Sequence, residues 1–362
     1  MKIAIVFGND GGDVRLAKTC RTLSRQGHEV HFIGWVRRPD LPSSQKLPGI
    51  KYHLLVHRVP QRRSTVVGQV LFTRHALRSL MLIRPDTVIG VNEDNILRVL
   101  PLWKTCYKKL VCDLYDSHID RLSGHNFLIR TTAFIFCSIA KLMSHKIIAT
   151  DEARREKLGW VRNRTTVIGN YPEDPGRHVA ATPVNGPAKL FVSGTLSQTR
   201  GLDTLYKALD QSPEIRVIAA GWIADDFTRN YFIKHEQVDF RGSITPQESL
   251  SLAAECDALL TMYAPTCQNN IMASPNKIYD AMSVGRPIII NKEALVSDWV
   301  SQEGLGHLCG YYDFSALAYI LNKLLSDRAS LNSFIVKSRN LFETGYSWEA
   351  MDEKFLSTYS ST

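Results

Sequence analysis

The sequence predicts an α/β protein of two domains, each built on a parallel sheet with helices on both faces. Three observations lead there. The 362 residues exceed one ordinary core and suit two domains. Short apolar runs alternate with amphipathic stretches in both halves, the rhythm of strand–helix–strand units. Proline and glycine gather between Pro172 and Pro187, with Pro175, Gly176, Pro183 and Gly186 among them, as at a domain boundary. The first domain is placed at 1–183 and the second at 184–345, with a last helix at about 346–362.

The elements follow in order. Residues 2–7 form a buried strand, 10–12 a turn, and 14–26 a helix with Leu16, Ala17, Cys20 and Leu23 on one face. Gly27 stops that helix before the strand 29–34. Trp35, Arg37, Arg38 and Lys46 then lie in a loop. His57, Arg58, Arg62 and Arg63 precede a helix near Val66–Ile83. Residues 86–91, 110–114 and Lys146–Ala149 are further strands. Phe127–Met143 is interrupted by Arg130 and Lys141, so it falls short of a membrane span. It reads as a buried helix, with an interfacial helix as the alternative. After the linker come a strand at 189–192, a polar loop at 194–201 and the helix Leu202–Leu209. Strands at 215–220, Val238–Phe240, Ala258–Thr261 and 287–290 then alternate with helices at 246–255 and 275–284. The cleft between two such domains is the default ligand site.

Composition narrows the function. Apolar residues at 44% and charged residues at 22% describe a globular chain. The seven cysteines are scattered with no C-x-x-C pair, which argues against a zinc ribbon or a disulfide framework and for a reducing compartment. The opening residues read as a first strand, not a signal peptide. Charge is uneven: residues 1–183 hold 29 Lys and Arg against 15 Asp and Glu, and residues 184–362 hold 15 against 20. The first half is therefore expected to meet an anionic partner. Nucleic acid is not expected, because aromatic and basic residues are not interleaved and no binding module is recognisable. In the helix near Val66–Ile83, Val66, Val70, Leu77, Leu80 and Met81 form a stripe flanked by Arg74 and Arg78. That pattern suits a peripheral contact with anionic lipid, or a core helix with snorkelling arginines.

Three segments carry chemistry. Gly8-Asn9-Asp10-Gly11-Gly12-Asp13 follows the first strand, where glycines let backbone N–H groups approach an anion or simply make a tight turn. It is not a dinucleotide fingerprint. Gly194-Thr195-Leu196-Ser197-Gln198-Thr199-Arg200-Gly201 opens a helix, and a cation at Arg200 beside the helix dipole suits a diphosphate. Ser274-Pro275-Asn276-Lys277 begins another helix. Lys277 and Asp280 share a face there: as ligand groups they suit a phosphate and two ribose hydroxyls, and otherwise they are a surface ion pair.

The second and third segments together resemble the C-terminal half of a GT-B glycosyltransferase, most like glycosyltransferase family 4. Gly194 to Gly201 and Pro275 to Pro287 match that family's pattern in order and spacing. Val238-Asp239-Phe240-Arg241-Gly242, Gly27-His28-Glu29-Val30, Gly169-Asn170 and Tyr346-Ser347-Trp348-Glu349 resemble its other landmarks, across essentially the whole chain. Two departures stand out. Met272 occupies the place of the family's first glutamate, and Thr195 replaces an arginine often found after the glycine.

The resemblance implies the GT-B architecture: two Rossmann-like domains with parallel sheets facing across a cleft, the last helix crossing back onto the first domain. It implies a retaining hexosyltransferase that uses a UDP- or GDP-linked sugar, with no cofactor and no metal. Gly194, Thr195, Arg200, Arg241, Gly242, Ser274, Pro275, Asn276, Lys277 and Asp280 would bind the donor. Gly11, Gly12, Asn92 and Glu93 would border the acceptor, and Asp116 or His118 would orient it or meet the donor sugar. Arg200 and Lys277 would stabilise the leaving diphosphate. The acceptor is expected to be lipid-linked or a cell-surface glycan of capsule, O-antigen or exopolysaccharide type. The enzyme would then be cytoplasmic and peripheral at the inner face of an anionic membrane. The alternatives are a nucleotide-sugar epimerase of the same fold and a non-catalytic sugar-nucleotide-binding module.

Overall fold

The computed structural model describes residues 1–39, 46–59, 66–115, 126–176, 187–326 and 331–360. They form two compact units: Met1–Asn170 with Met351–Thr362, and Tyr171–Ala350. The boundary placed at 183 from the sequence falls inside a stretch, 177–186, outside the described residues.

Unit 1 runs β1 (Lys2–Val6), α1 (Val14–Arg25), β2 (Glu29–Val36), β3 (Ile50–Val56), α2 (Val66–Ile83), β4 (Thr87–Val91) and α3 (Glu93–Val99). It continues with β5 (Lys109–Leu114), α4 (Phe127–Met143), β6 (Lys146–Ala149), α5 (Glu152–Lys157) and β7 (Thr165–Val167). Its seven-stranded sheet has the order β3-β2-β1-β4-β5-β6-β7, with all pairs parallel. Ile3, Ala4, Ile5 and Val6 are fully buried, as a central parallel strand covered on both faces requires. Alternate residues of the sheet pack against Phe72, Ala76 and Leu80 of α2, Ile96 and Val99 of α3, and Ala140 of α4. Asp13 caps α1 by accepting the Leu16 N–H at 2.9 Å.

Unit 2 runs β8 (Ala188–Leu196), α6 (Leu202–Leu209), β9 (Ile215–Ile223), α7 (Asp226–Asn230), β10 (Val238–Phe240), α8 (Pro246–Ala254) and β11 (Ala258–Thr261). Next come α9 (Gln268–Ile271), α10 (Asn276–Ser283), β12 (Ile288–Asn291), α11 (Val296–Gln302), β13 (Gly306–Cys309), α12 (Phe314–Ser326), α13 (Leu331–Leu341) and α14 (Trp348–Ser360). The parallel sheet has the order β10-β9-β8-β11-β12-β13. Helix α14 starts in unit 2, and from Met351 onward it belongs to unit 1. There Phe355 is fully buried, and the Thr22 hydroxyl of α1 donates to Asp352 at 2.7 Å.

Several sequence expectations change. Strand β2 extends to Val36, so Trp35 lies inside it with no exposure, not in a loop. The edge strand β3 was not expected. Strands β8 and β9 run on together to Leu196 and Ile223, which puts Gly194 and Thr195 on a strand and not in the polar loop. Helix α4 is not a buried helix: only Cys137 and Ala140 are buried, while Phe127, Leu128 and Phe134 stand out to solvent. On α2, Leu80 faces inward, but Val66, Val70 and Met81 are exposed with Arg74 and Arg78. Among the described residues no helix is long and apolar enough to cross a membrane.

Candidate active site

In a doubly wound sheet the ligand crevice opens at the carboxyl edge where strand order reverses. In unit 2 that point lies between β8 and β11. The chain leaving β8 there reaches Arg200, and the chain leaving β11 reaches Tyr263. The Arg200 guanidinium carbon sits 3.7 Å from the centre of the Tyr263 ring, a cation–π contact that fixes it across the reversal. Its Nη1 is buried and has no hydrogen-bond partner. An unpaired buried guanidinium nitrogen is costly, and such groups call for an acceptor.

The loop that carries Arg200 is held from several sides. Tyr311 donates its hydroxyl proton to the Gln198 carbonyl at 2.5 Å and accepts the Gly201 N–H at 3.2 Å. Burial raises this phenol to a pKa of about 12, so it stays a donor. The Gln198 N–H donates to Asp225 at 2.7 Å, and the Ala264 N–H donates to the Thr199 carbonyl at 3.0 Å. Gly201 has φ of 77°, and a Cβ there would lie 2.7 Å from the Met262 sulfur, so only glycine lets α6 begin this close to the end of β11. Gly194 has φ of 107° and a Cβ position with nothing within 4 Å. The backbone is therefore open at that strand end. Thr195 pairs in register with Trp222, whose ring is exposed.

The third motif starts α10 as expected, with Pro275 at its cap. Lys277 Nζ and Asp280 Oδ2 are 2.7 Å apart and partly buried, so the two form the ion pair that the spacing allowed. The Ser274 hydroxyl and the Tyr279 phenol share a hydrogen bond at 3.0 Å. Asn276 is the first residue of α10, and Met272 ends α9. At β10 the Arg241 side chain is turned onto Asp239. The Arg241 N–H donates to the Ala219 carbonyl at 2.8 Å, and the Gly242 carbonyl accepts the Gly221 N–H at 2.7 Å.

Unit 1 has its reversal between β1 and β4, where the sequence placed the acceptor residues. The Gly11 N–H donates to Asn9 Oδ1 at 3.1 Å, and the Gly12 N–H donates to Asp10 Oδ1 at 3.2 Å. The loop thus makes the tight turn and satisfies its own donors. Asn92 has φ of 62°. Its side chain accepts the Tyr115 N–H at 2.8 Å and its own N–H donates to the Asp113 carbonyl at 2.8 Å, so it ties β4 to β5. Glu93 is 2% exposed. One of its oxygens lies 3.6 Å from Lys141 of α4, and the other has no partner. Asp116 and His118 lie outside the described residues.

The same edge of unit 1 holds an ion pair that the sequence did not disclose. Arg15 Nη2 and Asp113 Oδ1 are 3.0 Å apart, with both side chains at most 2% exposed. Arg15 Nη1 donates to the Ile168 carbonyl at 2.8 Å, and its guanidinium lies over the Tyr115 ring at 5.1 Å. Burial pushes the Asp113 carboxyl above the ordinary carboxylate range although Arg15 opposes it. Asp113 Oδ2 and the Tyr115 hydroxyl are buried without partners.

No family model matches the chain, and no curated protein matches it in sequence. Solved structures do match. A sucrose-phosphate synthase from Thermosynechococcus elongatus is 14% identical with a TM-score of 0.72, over 100% of this chain and 98% of the other. HepE from Anabaena, in complex with UDP and glucose, is 15% identical with a TM-score of 0.73, over 100% of both chains. The lipopolysaccharide outer core galactosyltransferase WaaB, in its apo form, is 16% identical with a TM-score of 0.66, over 100% and 99%. The fold is GT-B. On the GT-B plan unit 1 is the N-terminal domain and unit 2 the C-terminal one, and the Arg200–Tyr263 contact stands at the strand reversal of the C-terminal sheet. The sequence had flagged Arg200 by its glycine-bounded loop. It gave no sign of Tyr263 or Tyr311, which act on that loop from 63 and 111 positions away by residue number.

Proposed function

We propose that this GT-B chain is a nucleotide-sugar-dependent, retaining glycosyltransferase. It would move a hexose from a UDP- or GDP-linked donor to a lipid-linked or cell-surface glycan. The observation that carries this reading is Arg200, held at the strand reversal with a buried nitrogen that lacks an acceptor. A diphosphate oxygen supplies that acceptor in a charge-assisted bond. As the sugar–phosphate bond breaks, negative charge grows on the leaving diphosphate. A fixed guanidinium stabilises that charge without reorganising.

The remaining donor contacts are proposed from the groups that lie around these strand ends. Gly194 leaves room for the diphosphate against the backbone. Asp280 takes the ribose hydroxyls, and Lys277, with three protons on its ammonium, serves Asp280 and a phosphate together. The sheet uses the Arg241 N–H and the Gly242 carbonyl, which leaves the Arg241 carbonyl and the Gly242 N–H for the base. Gly12 is exposed and meets the acceptor directly with Asp116 and His118, while Gly11, Asn92 and Glu93 support that surface from below. The basic, apolar outer face of α2 favours an acceptor at the inner face of an anionic membrane.

The test is sugar transfer from labelled UDP- and GDP-hexoses to a lipid extract, with the anomeric configuration of the product read by NMR. Transfer with retention, lost in Arg200→Ala, is expected. An epimerised donor without acceptor, or no transfer from any donor, overturns the reading.

A further inference from the structure

Helices α2, α3 and α4 pack on one face of the unit 1 sheet, with α3 in contact with both others. Helix α4 meets the unit along a narrow strip, Cys137 and Ala140. Elsewhere its apolar side chains face water: Phe127 is 79% exposed, Leu128 74%, Phe134 59% and Ile135 53%. Soluble monomers rarely leave so contiguous an apolar surface open. Between α3 and α4 lies an open groove of about 540 Å³, lined by Leu97, Leu128, Ile129, Ala133, Phe136 and Cys137, with Thr132 and Asp94 also on its wall. That volume falls in the range of small-molecule sites. Five hydrocarbon side chains and one thiol against a single hydroxyl and one carboxylate, itself paired with Arg98 at 3.3 Å, suit a hydrocarbon better than a sugar.

Charge indicates the source of that hydrocarbon. Helices α2 and α4 carry the exposed Arg74, Arg78 and Arg130 and no acidic residue, while Lys141 of α4 is turned inward onto Glu93. The outer face of α2 adds exposed Val67, Val70, Met81 and Leu82 beside its arginines. Apolar side chains mixed with cations on neighbouring helices match the interface of an anionic bilayer.

We propose that the α3–α4 groove takes one hydrocarbon chain of an anionic membrane lipid, with the exposed face of α4 seated in the bilayer surface. This deepens the acceptor side of the proposed function and rests only on its membrane contact.

The experiment needs no donor and no turnover, so its failure is separate from failure of the transferase reading. Full-length protein is sedimented with phosphatidylglycerol-containing vesicles and with phosphatidylcholine vesicles. Native mass spectrometry then scores a one-to-one adduct with dihexanoyl-phosphatidylglycerol. Sedimentation with the anionic vesicles alone is expected, weakened at least about tenfold in Phe134→Glu/Ile135→Glu, whose positions are exposed and should not disturb folding. Ala133→Trp fills the groove and is expected to lose the adduct while its melting transition and vesicle binding persist. Leu128→Ala, which enlarges the groove, keeps the adduct and so serves as the control if Ala133→Trp is unstable. Equal binding to both vesicles, or an adduct that survives a folded Ala133→Trp, overturns the proposal. So does a wild-type dimer that Phe134→Glu/Ile135→Glu converts to monomer, because the face then joins two copies of this chain.

Discussion

The loop after β1 and the loop after β8 occupy the same place in two sheets of the same topology, yet they are built in opposite ways. After β1 the donors of Gly11 and Gly12 are taken by Asn9 and Asp10, Arg15 is spent on Asp113 and Ile168, and Arg37, whose guanidinium lies beside Gly8, stacks over Trp35 at 4.5 Å. After β8 the cation is left with a buried nitrogen unpaired, beside an open glycine. Topology supplies a crevice at each reversal. The difference lies in the cation: Arg15 is committed to a buried ion pair with Asp113, whereas Arg200 is held by a ring and meets no carboxylate among the described residues.

The largest expected effect tests the closed side. Arg15→Met leaves Asp113 buried without its partner and should cost about 3–5 kcal/mol of stability in urea denaturation. Adding Asp113→Leu should restore most of that loss. If Arg15→Met alone is neutral, the pair is not what holds that edge together. On the open side Arg200→Ala should lower turnover about 10²–10³-fold while the melting temperature holds or rises, since a buried unpaired group is removed. An unchanged rate would show that the two loops do not differ in function. Asp280→Ala should raise the donor dissociation constant about tenfold in calorimetric titration, the size of a hydrogen bond to a charged group.

The smallest effect separates the units by pH. His31 Nδ1 and His53 Nε2 are 2.9 Å apart in unit 1. His31 Nε2 meets Glu29 at 3.0 Å, which also meets Lys51 at 2.5 Å. His75 of α2 contacts the His53 carbonyl at 3.1 Å, and Lys2 adds its charge to His31. Burial lowers the pKa of both His31 and His53 below the ordinary imidazole value. A lowered imidazole favours the neutral form on folding. Its contribution is therefore complete above about pH 6.5 and is lost as pH falls toward the folded-state values. Melting followed from pH 7.5 to 5 should decline, and His53→Asn should flatten the decline. A profile that His53→Asn does not alter assigns the acid sensitivity elsewhere.

Much of this was legible in the sequence where burial on both faces makes a strand a continuous apolar run. Strands β1, β4, β5, β6, β8 and β11 are of that kind. Strand β3 was missed because Lys51 and His53 alternate with half-buried residues at the sheet edge, and β7 because it is only Thr165–Val167. The reading of α4 as buried failed for a general reason. A helix apolar around its circumference looks the same whether protein or another apolar phase covers it. Arg200 was legible because its loop is bounded by glycines that geometry demands. Arg15 and Asp113 were not, because they stand 98 residues apart and nothing local to either announces the other.

The path of α14 has a consequence for how the protein is made. Unit 1 needs residues from Met351 onward, including the fully buried Phe355, and these follow the whole of unit 2. During synthesis the first unit to leave the ribosome is thus the last to be completed. Unit 2 can close on its own sequence while unit 1 waits with part of its apolar surface uncovered. A stalled or truncated chain would carry a finished second half and an aggregation-prone first half. The residues that complete unit 1 are thus made only after all of unit 2.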